Sequence, residues 1–504
     1  MSEEEKMLQQ EEVQNIDVIT AYNNVPYSVI SDDLSPSRKS VYTTELNEII
    51  GYYEAYKKGE GFVTEGANNN YIPSMTRYKK AASIINKEAR FLFANPPTFN
   101  LNMDDMADDA KENNTILQDF LDKVLEKNSF NGKLLKAAKD CFIGKRIAIV
   151  LNFNSTEGIT ITFLNSLEFI YETSGSSNGE LTKIVTFYNM VDTLHKQDQR
   201  WFKKCYSLEE DGVYVEENIY DGLGNQVEEV TAKRKTLFTY IPAVVVLNDG
   251  LTGETRGESE LGSLLDYEST YSKLANADID AGRKSMNPIR YTIDASSGST
   301  ANLSTSPGSY WDLQSDDEKS DIRQAQVGLL EPAMNYSAAL KATLDRLENT
   351  MYSEVDVPNI NSEQLQGVIT SGKTLKALYW GLIVRCDEKM ITSWSAALHF
   401  VAETIIEGGK LYPNSIHKYT LATTLPRIPY QITVENNYPL PEDEEEEKNM
   451  DLAEINAQTM SRKAYLKKWR KLSDKEADDE LNQIKLEQDL FDNSQIMPDS
   501  QFAE

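Results

Sequence analysis

Eight consecutive residues, Gly367-Val368-Ile369-Thr370-Ser371-Gly372-Lys373-Thr374, satisfy the pattern G-x-x-x-x-G-K-[ST] letter for letter. In a nucleotide-binding loop that pattern works because glycine lets successive backbone N–H groups wrap the phosphates at a helix N-terminus. The lysine reaches the β- and γ-phosphates, and the final hydroxyl sits on magnesium. Gly367, Gly372, Lys373 and Thr374 are therefore candidate cofactor-binding residues. Such a loop must also follow a buried strand inside a parallel βαβ unit. The residues before it, Asn359 to Gln366, are nearly all polar, and no apolar strand ending in Asp follows to hold magnesium. The pattern reads as a decoy, a glycine-loosened loop entering a long helix. A P-loop NTPase of the packaging-motor kind, using Gly367 to Thr374, stays as the alternative.

Other candidate chemistry is sparse. His195, His399 and His417 are isolated from one another, and His399, beside Leu398 in a helical stretch, reads as a packed histidine. Cys141, Cys205 and Cys386 are far apart with no CxxC pairing, so neither a disulfide framework nor a zinc site is signalled. There is no Gly-x-Ser-x-Gly elbow, no HExxH and no paired-carboxylate signature. The acidic run Glu442 to Glu447 reads as a solvated linker. No catalytic residue, metal or cofactor is expected.

The charge balance bears on partners. With 51 Lys and Arg against 80 Asp and Glu, the chain carries a net charge of −29. A protein that grips nucleic acid gains affinity by replacing counterions with Lys and Arg, so tight DNA binding is disfavoured. An acidic wall that lets a duplex slide is compatible with this charge, and so is simple solubility. Met1 to Gln10 lacks an apolar signal region and no run of 18 apolar residues occurs, so neither export nor a membrane span is expected.

The elements follow from periodicity. The first forty residues, polar and broken by Pro26 and Pro36, read as an extended arm. Arg77 to Ala94, with Tyr78, Ala81, Ile85, Ala89 and Leu92, predicts a helix stopped by Asn95-Pro96-Pro97. Ile116, Phe120 and Val124 mark a second helix and Phe130 to Phe142 a third. From Arg146 the period becomes alternating: Ile147 to Phe153, Ile159 to Phe163, Leu181 to Tyr188, Trp201 to Tyr206 and Gly212 to Tyr220 predict an antiparallel sheet. Ile241 to Leu247 is apolar enough to be buried on both faces.

A polar stretch from Asn248 to Gly257 leads into a helix over Glu258 to Ser285, about 40 Å long at 1.5 Å per residue. After Asn287-Pro288 come a short strand, Ile289 to Ile293, and a Ser/Gly/Thr-rich loop from Ala295 to Gly308. A second helix, starting near Asn335, carries Leu340, Leu344, Leu347 and Met351. These segments predict an antiparallel helical arm with a small tip. Leu375, Tyr379, Leu382, Cys386, Met390, Trp394, Leu398, Val401 and Ile405 then predict one long helix stopped by Gly408-Gly409. A strand with Ile428, Tyr430, Ile432 and Val434 returns the chain to a sheet, and helices follow from Lys448 to Leu490.

This order resembles the portal (head-tail connector) proteins of tailed bacteriophages, siphophage branch, over nearly the whole chain after residue 40. Phe91-Leu92-Phe93-Ala94-Asn95-Pro96-Pro97-Thr98-Phe99 is similar to the family's early helix and strand start. Tyr240-Ile241-Pro242 to Asn248-Asp249 is similar to its segment before the first stem helix, and Ser371-Gly372-Lys373-Thr374-Leu375-Lys376 to its Ser-Gly-x-Ala-Leu-Lys pattern. Thr374 stands where alanine is usual, which completes the nucleotide-loop letters by accident. Met460 to Trp469 and Asp474 to Leu486 resemble crown helices, with Ser461 as an N-cap.

The resemblance implies an α+β portal fold with wing, helical stem, small α/β clip, long helix and α-helical crown. On it, 1–40 is an N-terminal arm, 41–257 the wing, 258–285 and 336–353 the stem helices, and 286–335 the clip. Residues 354–372 are the tunnel loop, 373–435 the long helix and return strand, 436–490 the crown and 491–504 a polar tail. It implies a dodecameric ring at one capsid vertex, carrying double-stranded DNA without sequence specificity. Asn359, Asn361, Ser362, Gln364, Gln366 and Thr370 would face the DNA. Arg290, Tyr310 and Trp311 in the clip would dock the large terminase and the head-completion adaptor, and the wing would meet scaffold and major capsid protein. No membrane partner and no enzymatic activity are implied. A non-portal structural head protein is the remaining alternative.

Overall fold

Pro36 opens a helix. Proline suits the first helical position because its missing N–H would be unpaired there and its φ is already set. In the computed structural model α1 spans Pro36–Lys58 and ends at Gly59, with φ of 80°. Tyr27–Ile30 forms a single turn before it, so 27–30 and 36–40 are helical where an extended arm was expected. The structure describes residues 25–63, 72–102, 108–174, 179–191, 193, 195–251, 253–286, 289–296, 313, 315, 325–330, 334–360, 372–420, 422–440, 444–470, 472 and 474–494. The chain divides into two units, one of residues 1–359 and 381–439, the other of 360–380 and 440–504. Mixed helix and sheet make it α+β.

In the first unit α2 (Lys80–Phe93) runs into β1 (Thr98–Asn102), then α3 (Asp108–Lys127) and α4 (Phe130–Gly144). The alternating region makes two sheets rather than one. β2 (Arg146–Asn154), β3 (Gly158–Asn165) and β9 (Ala243–Leu247) form three strands in the order β3-β2-β9. β4 (Phe169–Thr173), β5 (Leu181–Val191), β6 (Arg200–Glu209), β7 (Gly212–Tyr220) and β8 (Gln226–Lys235) form five in sequence order. The apolar run ending in β9, expected to be buried on both faces, is an edge strand, and Val244, Val245 and Leu247 are only half-buried. β8 was not evident in sequence because it is exposed along its length and shows no buried face.

Two cores hold these layers. Ala148, Val150, Phe169, Ile184, Tyr206, Val215 and Ile241 pack the two sheets together. Val25, Val29, Ile30, Leu34 and Tyr42 pack with Ile170, Val185, Phe187, Trp201 and Cys205.

α5 (Leu261–Met286) and α6 (Ser337–Glu354) are joined through a two-stranded antiparallel ladder of β10 (Ile289–Ile293) and β11 (Gln326–Leu330). The expected long helix is segmented into α7 (Gly372–Leu378), a turn at Tyr379, α8 (Trp380–Lys389), a π turn at Met390–Trp394 and α9 (Ser395–Leu411). The π turn has a reason in the sequence. Leu382, Cys386, Met390, Trp394 and Leu398 lie four apart, and each step of four overshoots a 3.6-residue turn by about 40°, which would carry the stripe off the core. The wider turn, in which Ser395 N–H bonds Met390 O, takes up the excess, and all five side chains are buried.

Gly408 and Gly409 do not stop α9, which continues to Leu411. They are where other side chains come closest: a Cβ on Gly408 would lie 2.2 Å from the Phe153 ring, and one on Gly409 2.7 Å from Leu425 and 3.0 Å from Phe120. The return strand is β12 (Gln431–Glu435), antiparallel to β1 with Leu101 opposite Ile432.

The second unit contains α7, α10 (Glu444–Asn456), α11 (Arg462–Arg470) and α12 (Asp474–Ser494). Part of the acidic run read as a linker is the first turn of α10, where negative charge suits the helix N-terminus. Ser461 does cap α11, its Oγ accepting from Ala464 N–H at 3.1 Å. Asp451 of α10 accepts from Trp469 Nε1 at 2.7 Å and pairs with Lys468 at 2.9 Å.

Gly408→Ala should destabilise the chain by about 1–3 kcal/mol through overpacking against Phe153. Denaturant unfolding checks it, and Phe153→Leu in the same chain should recover most of the loss.

Candidate functional site: a clamped helical arm

α5 and α6 run antiparallel. Tyr336 Oη donates to Asp278 Oδ1 at 3.2 Å. Lys80 of α2 sits 5.3 Å from the Tyr271 ring centroid and 2.8 Å from Glu348. Between the two helices, Ile289 of β10 stands opposite Leu330 of β11 and Arg290 opposite Leu329. Met351 and Tyr352 are the buried residues of α6, while Ile279, Met286, Tyr291, Ile293 and Val327 are exposed. A helical pair burying so little of its own apolar surface needs an external anchor.

The anchor is a ladder of side chains on one stripe of α5. Glu268, Ser272, Asn276 and Asp280 lie four residues apart and each accepts from the backbone of residues 74–81. Asp280 accepts from Ser74 N–H at 3.0 and 3.1 Å, and Asn276 from Thr76 N–H at 2.8 Å. Ser272 accepts from Tyr78 N–H at 3.3 Å and Glu268 from Ala81 N–H at 2.6 Å. From Ser74 to Tyr78 the match is geometric: four residues of helix rise about 6 Å and two residues of extended chain about 6.6 Å, and the last step, to Ala81 at the start of α2, takes three residues. Asn276 also returns a bond to Thr76 O at 2.6 Å, and Glu268 receives Glu60 N–H at 3.1 Å. α2 begins at Lys80 and not at the expected Arg77; residues 72–79 lie outside any helix, and the amides of Ser74, Thr76 and Tyr78 bond to α5.

A buried ionic cluster fixes the root of α5. Glu260, one residue before the helix, meets Arg385 and Lys389 of α8, with Lys389 Nζ 2.5 Å from its Oε1. Lys389 also donates to Asn248 Oδ1 at 2.8 Å, and Arg385 Nε donates to Glu88 Oε1 of α2 at 3.0 Å. Glu88 is fully buried and its Oε2 has no hydrogen-bond partner. Burial, with the charge of Glu260, pushes the Glu88 carboxyl up to about 7 against the pull of Lys389 and Arg385. Burial would also raise Glu260, but Lys389 and Arg385 outweigh it and hold that carboxyl well below its usual range. Nearby, Glu45 gathers Arg38, Arg146 and Arg256 at 3.2, 2.7 and 3.0 Å.

Of the residues singled out in sequence, Asn361, Ser362, Gln364, Gln366, Gly367, Thr370, Tyr310 and Trp311 lie outside the described residues. Asn359 is described, and its Nδ2 donates to Asn349 Oδ1 of α6 at 2.9 Å. Arg290 is a residue of β10 whose side chain lies outside the description. Gly372 opens α7 with Lys373 and Thr374 in its first turn. Every described strand pairing is antiparallel, so the parallel unit that a phosphate loop needs is not found among the described residues. His399 is exposed, 3.8 Å from Glu403, and is not the packed histidine expected. All three cysteines are free and buried, and burial pushes their thiols up, that of Cys205 to about 12.

Sequence reading missed the ladder and the ionic cluster. The available signal was polar spacing: Glu268, Ser272, Asn276 and Asp280 at four-residue intervals, and Arg385 and Lys389 four apart beside an apolar stripe. The arrangement offers no nucleophile beside a base. What it supplies is a rigidly rooted arm.

A family model described as phage portal protein, SPP1 Gp6-like, matches residues 38–490. No curated protein matches the chain.

Glu268→Gln removes one of two acceptors for buried amides and should cost about 1–3 kcal/mol, with faster hydrogen exchange at Ala81. Glu260→Ala leaves Arg385 and Lys389 uncompensated and should cost about 3–5 kcal/mol. Glu88 acts in the opposite direction with pH. Its native carboxyl, raised to about 7, holds a proton that the unfolded chain releases near its ordinary value, so this contribution is lost as pH rises from about 4.5 to about 7. Glu88→Gln should flatten that part of the stability–pH profile in urea titrations.

Proposed function

The chain belongs to the phage portal protein family, and on that premise we propose that it assembles as a dodecameric ring at one capsid vertex. The ring is the conduit for double-stranded DNA during packaging and ejection. The observation that carries the reading is the family match over residues 38–490. The element order agrees with it. The α+β region of 41–257 is the wing, α5 and α6 the stem, and the segment between them, with β10 and β11, the clip. Residues 354–372 form the tunnel loop, 373–435 the long helix and return strand, and 436–490 the crown.

In such a ring the clip docks the large terminase during packaging and the head-completion adaptor afterwards. Arg290, Tyr310 and Trp311 are proposed for that contact. The wing meets scaffold and major capsid protein. The location is the virion, and no described helix is long and apolar enough to cross a membrane.

DNA passage needs contact without grip. Asn359, Asn361, Ser362, Gln364, Gln366 and Thr370 offer neutral donors and acceptors that exchange hydrogen bonds with phosphates, whereas a ring of lysines would release counterions and hold the duplex. The chain's charge of −29 supports sliding over binding. Portal proteins are a structural family, and on this reading the energy for translocation comes from a separate motor.

Negative-stain images of the purified protein should show rings with a central channel. Asn361→Lys with Gln364→Lys should leave ring assembly intact and slow packaging at least about ten-fold at low salt, with partial recovery as salt rises. Packaging at the wild-type rate by such rings would remove the tunnel-loop assignment.

A further inference from the structure

Away from the arm and its root, one group of charges is out of balance. Glu45 of α1 meets three guanidinium groups: Arg146 Nη1 lies 2.7 Å from its Oε1, while Arg38 and Arg256 share its Oε2 at 3.2 and 3.0 Å. Glu45 and Arg146 are buried, and the Arg38 side chain is 14% exposed. The Nε atoms of Arg38 and Arg146 are shut from water and have no hydrogen-bond partner among the described residues. Taking guanidinium groups out of water is costly unless negative charge and acceptors replace it. One carboxylate does not do that for three cations.

Arg38 and Arg256, the two that compete for one oxygen, line the same cavity of about 300 Å³. Ser35 and Ser37, at the start of α1, line it too, their hydroxyl oxygens 3.3 Å apart. Tyr171 Oη donates to Thr255 O, and Arg146 Nη1 donates to Arg256 O at 3.0 Å, so the wall that carries Arg256 is held in place. The acidic residue of the lining is Glu172. Its Oε1 receives Ser35 N–H at 2.9 Å, and it stands opposite Lys183 in the β4–β5 ladder. Even with Glu172 counted in full beside Glu45, two negative charges face the three of Arg38, Arg146 and Arg256. The residues outside the description that adjoin these walls in sequence, 175–178 and 252, contain no acidic residue. In a chain of net charge −29, this is a local surplus of the opposite sign.

We propose that this cavity binds a free tetrahedral oxyanion, phosphate or sulfate. Arg38 offers its unused Nε–H and Arg256 the N–H groups not turned to Glu45, a planar donor geometry that suits such an ion. The Ser35 and Ser37 hydroxyls add donors at the positive end of a helix of 23 residues. Arg256, with a side chain 37% exposed, leaves a path from solvent. The bound ion offsets the surplus charge. It joins α1 to β4 and to the chain that runs from Arg256 to Glu260 at the root of α5.

The test titrates inorganic phosphate into the full chain at neutral pH, against a chloride buffer of equal ionic strength, by isothermal titration calorimetry. One ion should bind per chain, and sulfate should displace it. Arg256→Gln and Arg38→Gln should each weaken binding about ten-fold or more, and Ser37→Ala about three-fold. Lys235→Gln, which removes an exposed cation of β8, should leave binding unchanged. The urea midpoint should rise with phosphate in the parent chain and not in Arg256→Gln; that variant decides the matter if Arg38→Gln does not fold. No binding by the parent chain overturns the site. Binding that survives both arginine changes means an adventitious ion only and overturns it equally. Displacement of phosphate by a short DNA duplex at equal phosphate concentration also overturns it, because the cavity admits a free ion and not a polymer.

Discussion

A helical pair that buries little apolar surface of its own has to be held by other contacts. In this chain the holding is done by carboxylate, amide and hydroxyl oxygens of α5 that accept the backbone N–H groups of residues 74–81. From Ser74 to Tyr78 the fit depends on two rises being nearly commensurate, four residues of helix against two of extended chain. Much else is fixed by that match. It brings Lys80 against Glu348 of α6 and aligns α2 so that Glu88 reaches Arg385.

The ionic cluster at Glu260 completes the root by a different physics. Two carboxyl groups and two cations sit where water is nearly absent, and removing one member exposes the rest to the full desolvation cost. Such a cluster is a poor source of net stability and a strong source of specificity. It ties α2, the 248–260 segment and α8 to a single relative placement. The unsatisfied oxygen of Glu88 shows that the arrangement is not optimised for stability alone.

The π turn and the two glycines of α9 show where periodicity and packing part company. The four-residue spacing from Leu382 to Leu398 correctly marked one buried face, yet a straight α-helix could not have delivered it. Gly408 and Gly409, which look like a stop, lie in helix because Phe153, Leu425 and Phe120 come too close for a side chain. Helix-breaking propensity of about 1 kcal/mol per glycine yields to close packing of rings.

The sequence by itself determined the α+β class, the switch from helix to strand at Arg146, the helix–tip–helix arm, the return strand and the Ser461 cap. Each of these is written in local periodicity or in a single capping side chain, which neighbours along the chain suffice to specify. It also carried the context that disqualifies the P-loop letters, since a polar stretch cannot be a buried strand. Only the tertiary structure decided that the alternating region splits into two sheets, that β9 lies at an edge, and that His399 faces outward. The same holds for Glu88, Glu260, Arg385 and Lys389 meeting, and for α5 clamping residues 74–81. The ionic cluster and the clamp depend on pairs separated by more than a hundred residues, and a polar side chain carries no periodic mark of its distant partner.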